Sequence, residues 1–173
     1  MTHTLYIALG TNLGDRLYNL RAALDAFAPN VHVVTESHVY ETDPWGFADQ
    51  PAFLNMVVRA ATRLSPARLL SFLKKLEADQ GRTPTFRNGP RLIDLDILFY
   101  DNLQLDTPPL TLPHPRLHER AFVLVPLADL APGLIHPRLG LSVASLLAGV
   151  DRSGIRKFSE TLKISPHPVD SRC

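Results

Sequence analysis

Gly89-Pro90-Arg91-Leu92-Ile93-Asp94-Leu95-Asp96-Ile97-Leu98-Phe99-Tyr100 runs from a Gly-Pro turn, through an arginine, into a stretch of β-branched, aliphatic and aromatic residues. That composition predicts a strand. Side chains alternate along a strand, so Asp94 and Asp96 share one face while Ile93, Leu95 and Ile97 share the other. Residues two apart lie roughly 6.5–7 Å from each other. Two like charges so held on an apolar strand are costly unless a cation sits between them. A hard cation with oxygen ligands, such as Mg²⁺, suits the pair. Upstream, residues 80–93 carry no acid but three arginines, Arg82, Arg87 and Arg91. Guanidinium forks match phosphate oxygens. An arginine loop entering a paired-aspartate strand therefore reads as a metal–polyphosphate site. The spacing fits equally well a solvated turn before a core strand, with the aspartates paired to those arginines.

The rest of the composition narrows the classes. With 173 residues, 45% apolar and 20% charged, the chain can bury a core as one domain. A net charge of +1 gives no global pull on nucleic acid or anionic membrane. The one cysteine, Cys173, excludes an internal disulfide and fits a reducing cytoplasm. Residues 1–10 hold no Lys or Arg, unlike a signal peptide, and no apolar run approaches the ~18 residues of a membrane span.

Working outward, Thr4–Leu9 reads as a buried strand. Gly10-Thr11-Asn12-Leu13-Gly14-Asp15 is a turn that opens a helix carrying Leu17, Leu20, Leu24 and Phe27 at helical spacing. That turn lacks the Lys of a P-loop and the third Gly of a dinucleotide fingerprint, so it reads as a plain strand-to-helix turn. Val31–Thr42 is β-rich and long for one strand. The loop from Asp43 to Pro51 precedes a strand beginning at Phe53, and Phe53 and Asn55 share one of its faces. An aromatic and an amide so placed can stack on and hydrogen-bond to a flat heterocycle, or close off a sheet end. Ser65-Pro66 starts a second helix with its cap and N1 proline. Leu69, Leu73 and Leu76 form its stripe, and Gly81 ends it. After the central strand, Asp101-Asn102 signals a turn, with Leu103-Gln104-Leu105 returning as a short hairpin arm. A proline-bracketed loop carries His114, Arg116, His118 and Arg120. Pro115 breaks any helix spanning the two histidines, and no Cys or third His is near, so zinc is not expected. Residues 121–130 and 141–150 read as helices, the first interrupted by Pro126, the second capped by Ser142. No internal repeat stands out. The order β-α-β-β-α-β, then a hairpin and two helices, predicts an α+β fold: a ferredoxin-like antiparallel sheet flanked by helices in three layers, α/β/α. Residues 1–163 form the expected domain, and 164–173 a disordered tail.

Gly89 to Leu98 resembles the signature of the 6-hydroxymethyl-7,8-dihydropterin pyrophosphokinases of folate biosynthesis. Tyr6-Ile7-Ala8-Leu9-Gly10-Thr11-Asn12-Leu13-Gly14 resembles the family's opening strand and turn. Tyr40-Glu41-Thr42-Asp43-Pro44-Trp45-Gly46 with Asp49-Gln50-Pro51-Ala52-Phe53-Leu54-Asn55 resembles its pterin loop and strand. Glu77, Gly81-Arg82 and Leu112-Pro113-His114 through Arg120-Ala121-Phe122 follow in the family order, so the resemblance spans about residues 4–150.

The resemblance implies transfer of an intact pyrophosphoryl group from ATP to the hydroxymethyl oxygen, releasing AMP. It implies two Mg²⁺ ions on Asp94 and Asp96, and phosphate binding and charge stabilisation by the catalytic Arg82 and Arg91. The pterin would meet Phe53, Phe122, Asn55 and the segment Thr42, Asp43, Pro44 and Trp45. The nucleotide side would comprise Glu77, Arg82, Arg87, Arg91, Ile97, Thr111, His114 and Arg120. The expected enzyme is a cytoplasmic monomer acting on ATP and the reduced pterin, with no nucleic-acid or membrane partner. Departures from the family pattern fall at Pro84, Thr85 and Asn88, at Asp43 and Trp45, and at Pro115. The alternatives are a ferredoxin-like nucleic-acid-binding module, which would want a basic aromatic sheet face, and another Mg-dependent phosphotransferase using the same acids.

Overall fold

The computed structural model describes residues 1–81 and 85–158. Along the chain run β1 (His3–Thr11), α1 (Arg16–Asp25), β2 (Val31–Glu36), β3 (Tyr40–Thr42), β4 (Phe53–Thr62), α2 (Pro66–Asp79), β5 (Asp94–Tyr100), β6 (Leu105–Asp106), β7 (Thr111–Leu112), α3 (Ala121–Leu130), α4 (Val143–Ala148) and β8 (Ile155–Lys157). The main sheet has the order β5-β1-β4-β3-β8, with β2 also pairing β4. Its ladders are all antiparallel. β1 therefore lies between β5 and β4, as the ferredoxin-like order requires.

Period-two alternation divides the apolar residues between two cores. Leu5, Ile7 and Leu9 of β1, with Leu54, Met56, Leu95 and Ile97, meet Leu20, Phe27, Leu69 and Leu73 from the α1 and α2 side. On the opposite face Tyr6, Val57, Leu98 and Phe99 meet Val123, Leu124 and Leu127 of α3 and Val143 and Leu147 of α4. The result is the three-layer arrangement expected. The β1–β5 register slips between Tyr6 and Ile7. That bulge puts Leu98 and Phe99 both in the α3–α4 core while Tyr100 joins the other. Asp94 and Asp96, before the bulge, lie on the α3–α4 face, toward its open end.

Local signals hold at the helix ends. Asp15 caps α1 by accepting from the Tyr18 N–H, Ser65 caps α2 with Pro66 at N1, and Ser142 caps α4. Gly81, with φ +90°, follows the α2 C-cap Gln80, a conformation glycine adopts without strain. α3 continues through the buried Pro126.

Other expectations need correction. Val31–Thr42 is two strands, because at Ser37 the hydroxyl takes a ladder position: Ser37 Oγ accepts from the Val57 N–H and donates to the His38 carbonyl. The arm at Leu105 pairs with β7, not back on β5, in a separate two-stranded sheet. β8 has no counterpart among the expected elements; three residues of modest β-propensity carry too little pattern. The tail expected at 164–173 lies outside the described residues. A short repeat also emerges. His114-Pro115-Arg116-Leu117 and His136-Pro137-Arg138-Leu139 make the same turn, each histidine Nδ1 accepting from the following arginine's N–H, at 3.1 and 3.2 Å.

Candidate active site

The site begins with two small residues on the central strand. Gly10 pairs with Asn55 of β4 and with Asp94 of β5, and Ala8 pairs with Asp96. These residues and Phe53 lie on the α3–α4 face or at its open end. A Cβ at Gly10 would approach Asn55 Oδ1 to 2.9 Å. The middle strand is thus cut low, and its neighbours stand as banks two strand spacings apart, roughly 9–10 Å. One bank carries the two carboxylates; the other carries Phe53 and Asn55. Asn55 Nδ2 donates to Thr42 Oγ1 at 2.7 Å, which leaves the amide oxygen on the Gly10 side. The cleft above this floor is also lined by Asp43, Trp45, Asn88, Arg91, His114, Arg120 and Phe122.

The electrostatics follow from crowding like charges beside apolar walls. Burial, and then the neighbouring Asp94, raise the Asp96 carboxyl from 3.8 to about 6. Asp94 accepts from Arg91 Nη1 at 2.7 Å. Burial, with Arg120 next, lowers His114 to about 4. Its Nδ1 accepts from the Arg116 N–H, so the neutral ring keeps its proton on Nε2. The His114 N–H donates to the Leu98 carbonyl, which ties this loop to β5. The Nε groups of Arg91 and Arg120 are buried without a hydrogen-bond partner. Two guanidinium groups lining one cleft suit an anion.

Two loops enclose the opening. Asn12 holds their stems: its N–H donates to the Arg91 carbonyl, its Oδ1 accepts from the Arg91 N–H, and its Nδ2 donates to Gln50 Oε1 and the Pro51 carbonyl. Gln50 Nε2 in turn donates to the Asn88 carbonyl, and Phe47 meets Phe86 edge-on at 5.0 Å. Trp45 crosses to the far rim, with the Arg116 guanidinium 4.6 Å and that of Arg120 5.9 Å from its ring centre.

The structure therefore brings together Thr42, Asp43, Trp45, Phe53, Asn55, Arg91, Asp94, Asp96, His114, Arg120 and Phe122. Pro44, Arg87 and Thr111 are not among the residues that line the cleft. Ile97 is 4% exposed in the α1–α2 core, because it alternates with Asp96. Glu77 lies behind β5, where it accepts from the Leu95 N–H at 2.8 Å and meets Lys74 at 3.3 Å. Arg82 falls outside the described residues. Sequence reasoning passed over Ala8, Gly10, Asn12, Asn88 and Arg116. The alternation Tyr6-x-Ala8-x-Gly10, shrinking along one face, was the available signal for the floor. Asn12, Asn88 and Arg116 carried none, since their partners are remote in sequence.

The donor set bears on a metal. Among the described residues no group of three or more His, Cys, Asp or Glu could enclose an ion. Two carboxylates alone fit Mg²⁺, which keeps waters and takes further oxygens from phosphates.

A family model described as 7,8-dihydro-6-hydroxymethylpterin-pyrophosphokinase matches residues 6–132. The 2-amino-4-hydroxy-6-hydroxymethyldihydropteridine pyrophosphokinase of Pseudomonas aeruginosa is 45% identical over 160 residues, 91% of this chain and 98% of that protein. The Folic acid synthesis protein FOL1 of Dictyostelium discoideum is 39% identical over 150 residues, 87% of this chain but 23% of that longer protein. Among solved structures, Plasmodium falciparum HPPK-DHPS with pterin and p-hydrobenzoate superposes with a TM-score of 0.69 at 17% identity, over 86% of this chain and 44% of that one. At that identity the likeness bears on the fold alone.

Proposed function

The chain belongs to the 7,8-dihydro-6-hydroxymethylpterin-pyrophosphokinase family, and from that premise we propose that the cleft between β5 and β4 is where it transfers pyrophosphate from ATP to the hydroxymethyl group of 6-hydroxymethyl-7,8-dihydropterin, a step of folate biosynthesis. One juxtaposition supports the placement: Asp94 and Asp96 face Phe53 and Asn55 across the floor of Ala8 and Gly10. The acids suit a metal–triphosphate, the aromatic and amide suit a flat heterocycle, and one cleft holds both.

The hydroxymethyl oxygen attacks the β-phosphorus, the bond to the α–β bridging oxygen breaks, and AMP leaves with that oxygen while the hydroxyl proton passes to solvent. Asp94 and Asp96 would hold Mg²⁺, two ions in this reading, which supply neutralisation of the triphosphate and acidification of the hydroxyl. Arg91 and Arg120, both lining the cleft, bind phosphate oxygens; Arg82 joins them by family resemblance. His114, neutral, donates from Nε2 and adds no competing charge. Phe53 and Phe122 flank the pterin ring, and Asn55, steadied by Thr42, reads its edge. Such chemistry relies on positioning and charge neutralisation, with no covalent intermediate. The same reading makes the enzyme a cytoplasmic monomer; among the described residues no helix is long and apolar enough to cross a membrane.

Mixing the protein with ATP, Mg²⁺ and the dihydropterin, with pterin omitted as control, tests it. Pterin-dependent AMP is expected. ADP or orthophosphate instead would indicate a different phosphotransferase, and salt-sensitive RNA binding without Mg²⁺ would indicate a nucleic-acid module.

A further inference from the structure

β8 lies beyond residue 132, where the family-model match ends, yet it completes the sheet edge from which the 43–51 loop departs. It pairs antiparallel with β3, placing Arg156 opposite Glu41 and Ile155 opposite Thr42. The ladder is extended at both ends: the Asp43 N–H donates to the Gly154 carbonyl and the Phe158 N–H to the Val39 carbonyl, each at 2.9 Å. Glu41 and the cleft-lining Asp43 stand two residues apart, and Arg156 reaches both. Its Nε and Nη2 lie 3.0 and 2.7 Å from Glu41 Oε1, and its Nη1 lies 3.2 Å from Asp43 Oδ1. The other oxygen of Glu41 takes Arg16 Nη2 at 2.8 Å, and Arg16 Nη1 donates to the Ala52 carbonyl at 3.0 Å. Arg16 thereby ties the two ends of the loop together, and Arg156 fixes the first end to β8. Between Glu41 and Asp43 stands Thr42, whose hydroxyl accepts from the Asn55 amide and so orients it.

We propose that Arg156 is a positioning residue for the acceptor substrate: by forking Glu41 and Asp43 it sets the departure of the 43–51 loop, and so the place of Thr42, Asp43 and Asn55 in the cleft. The inference rests on the reading of that cleft as the pterin site. Arg156 touches no cleft-lining residue on the arginine–histidine side, so the nucleotide should not feel its loss. An exposed pair is worth little singly, but a loop in place for only part of the time weakens apparent affinity by that fraction. Saturating pterin selects the same bound loop, which leaves kcat in place.

Steady-state kinetics of Arg156→Ala and Arg156→Lys test this. Arg156→Ala is expected to raise the pterin KM about fivefold, with kcat and the ATP KM within about twofold of the parent. Arg156→Lys should recover part of the loss, since an ammonium holds one carboxylate where the fork holds two. Raising salt should bring the parent's pterin KM toward that of Arg156→Ala. An unchanged pterin KM in an active protein, or a fall in kcat tracking a lowered Tm in both variants, overturns the positioning role and leaves the cleft assignment standing. If the parent itself releases no AMP with the dihydropterin, both fall together.

Discussion

At the residue scale the site depends on charges kept where the fold alone would not choose them. Asp96 is pushed up to about 6 by burial and by Asp94, so holding it ionised costs the fold stability. Asp96→Asn should therefore leave the Tm at pH 7 unchanged or raise it, while cutting AMP production on the order of 10²-fold or more. Near-parental turnover in a folded variant would remove Asp96 from the metal role. His114 supplies a test of opposite sign. Its folded value of about 4 lies below its ordinary 6.5, so on acidification through that interval the unfolded chain takes up a proton that the folded one refuses. His114 thus contributes stability that is present above 6.5 and lost as the pH falls toward 4. Urea unfolding of His114→Gln should show its stability rising relative to the parent between pH 7 and 4.5. A difference independent of pH would mean that the ring is not held neutral.

At the scale of the element, β1 is the strand that makes room. Its α1–α2 face carries Leu5, Ile7 and Leu9, all buried, while its other face tapers from Tyr6 through Ala8 to Gly10. The taper converts a packed sheet face into a trough by shrinking the side chains along it. Gly10→Ala puts a methyl against Asn55 Oδ1 at 2.9 Å, and the amide must shift. A displaced amide forfeits a hydrogen bond to the heterocycle, about 1.4 kcal/mol, so the pterin KM should rise roughly tenfold while the ATP KM holds. Equal changes in both constants would show that the floor serves the two substrates alike. In the turn after β1, Asn12 holds the stems of both enclosing loops, although its sequence context reads as an ordinary strand-to-helix turn.

At the scale of the whole molecule, the cleft sits at the open end of the α3–α4 layer, where the sheet is uncovered. Ligands that bind only the folded cleft raise stability by mass action, about 2.7 kcal/mol at a hundredfold excess over Kd. Mg²⁺ with a non-hydrolysable ATP analogue should raise the Tm clearly, and Mg²⁺ alone much less, because the two carboxylates give an ion too few ligands without phosphate oxygens. An equal rise with Mg²⁺ alone would indicate a complete protein-built metal site.

Periodicity and capping made the fold legible in the chain. The strand of Asp94 and Asp96, the stripes of α1 and α2, and the caps Ser65 and Ser142 are local signals, each written within a few neighbouring residues. The facing of Asp94 with Asp96, and of Phe53 with Asn55, was likewise determined, since alternation along a strand needs no tertiary information. Tertiary structure alone decided that Gly10 stands between those pairs, that Asn12 grips Arg91, and that a three-residue strand at Ile155 secures the loop at Asp43. Those relations join residues from about 40 to more than 110 positions apart. They form only when the sheet brings remote segments within hydrogen-bonding reach, and no local pattern records them.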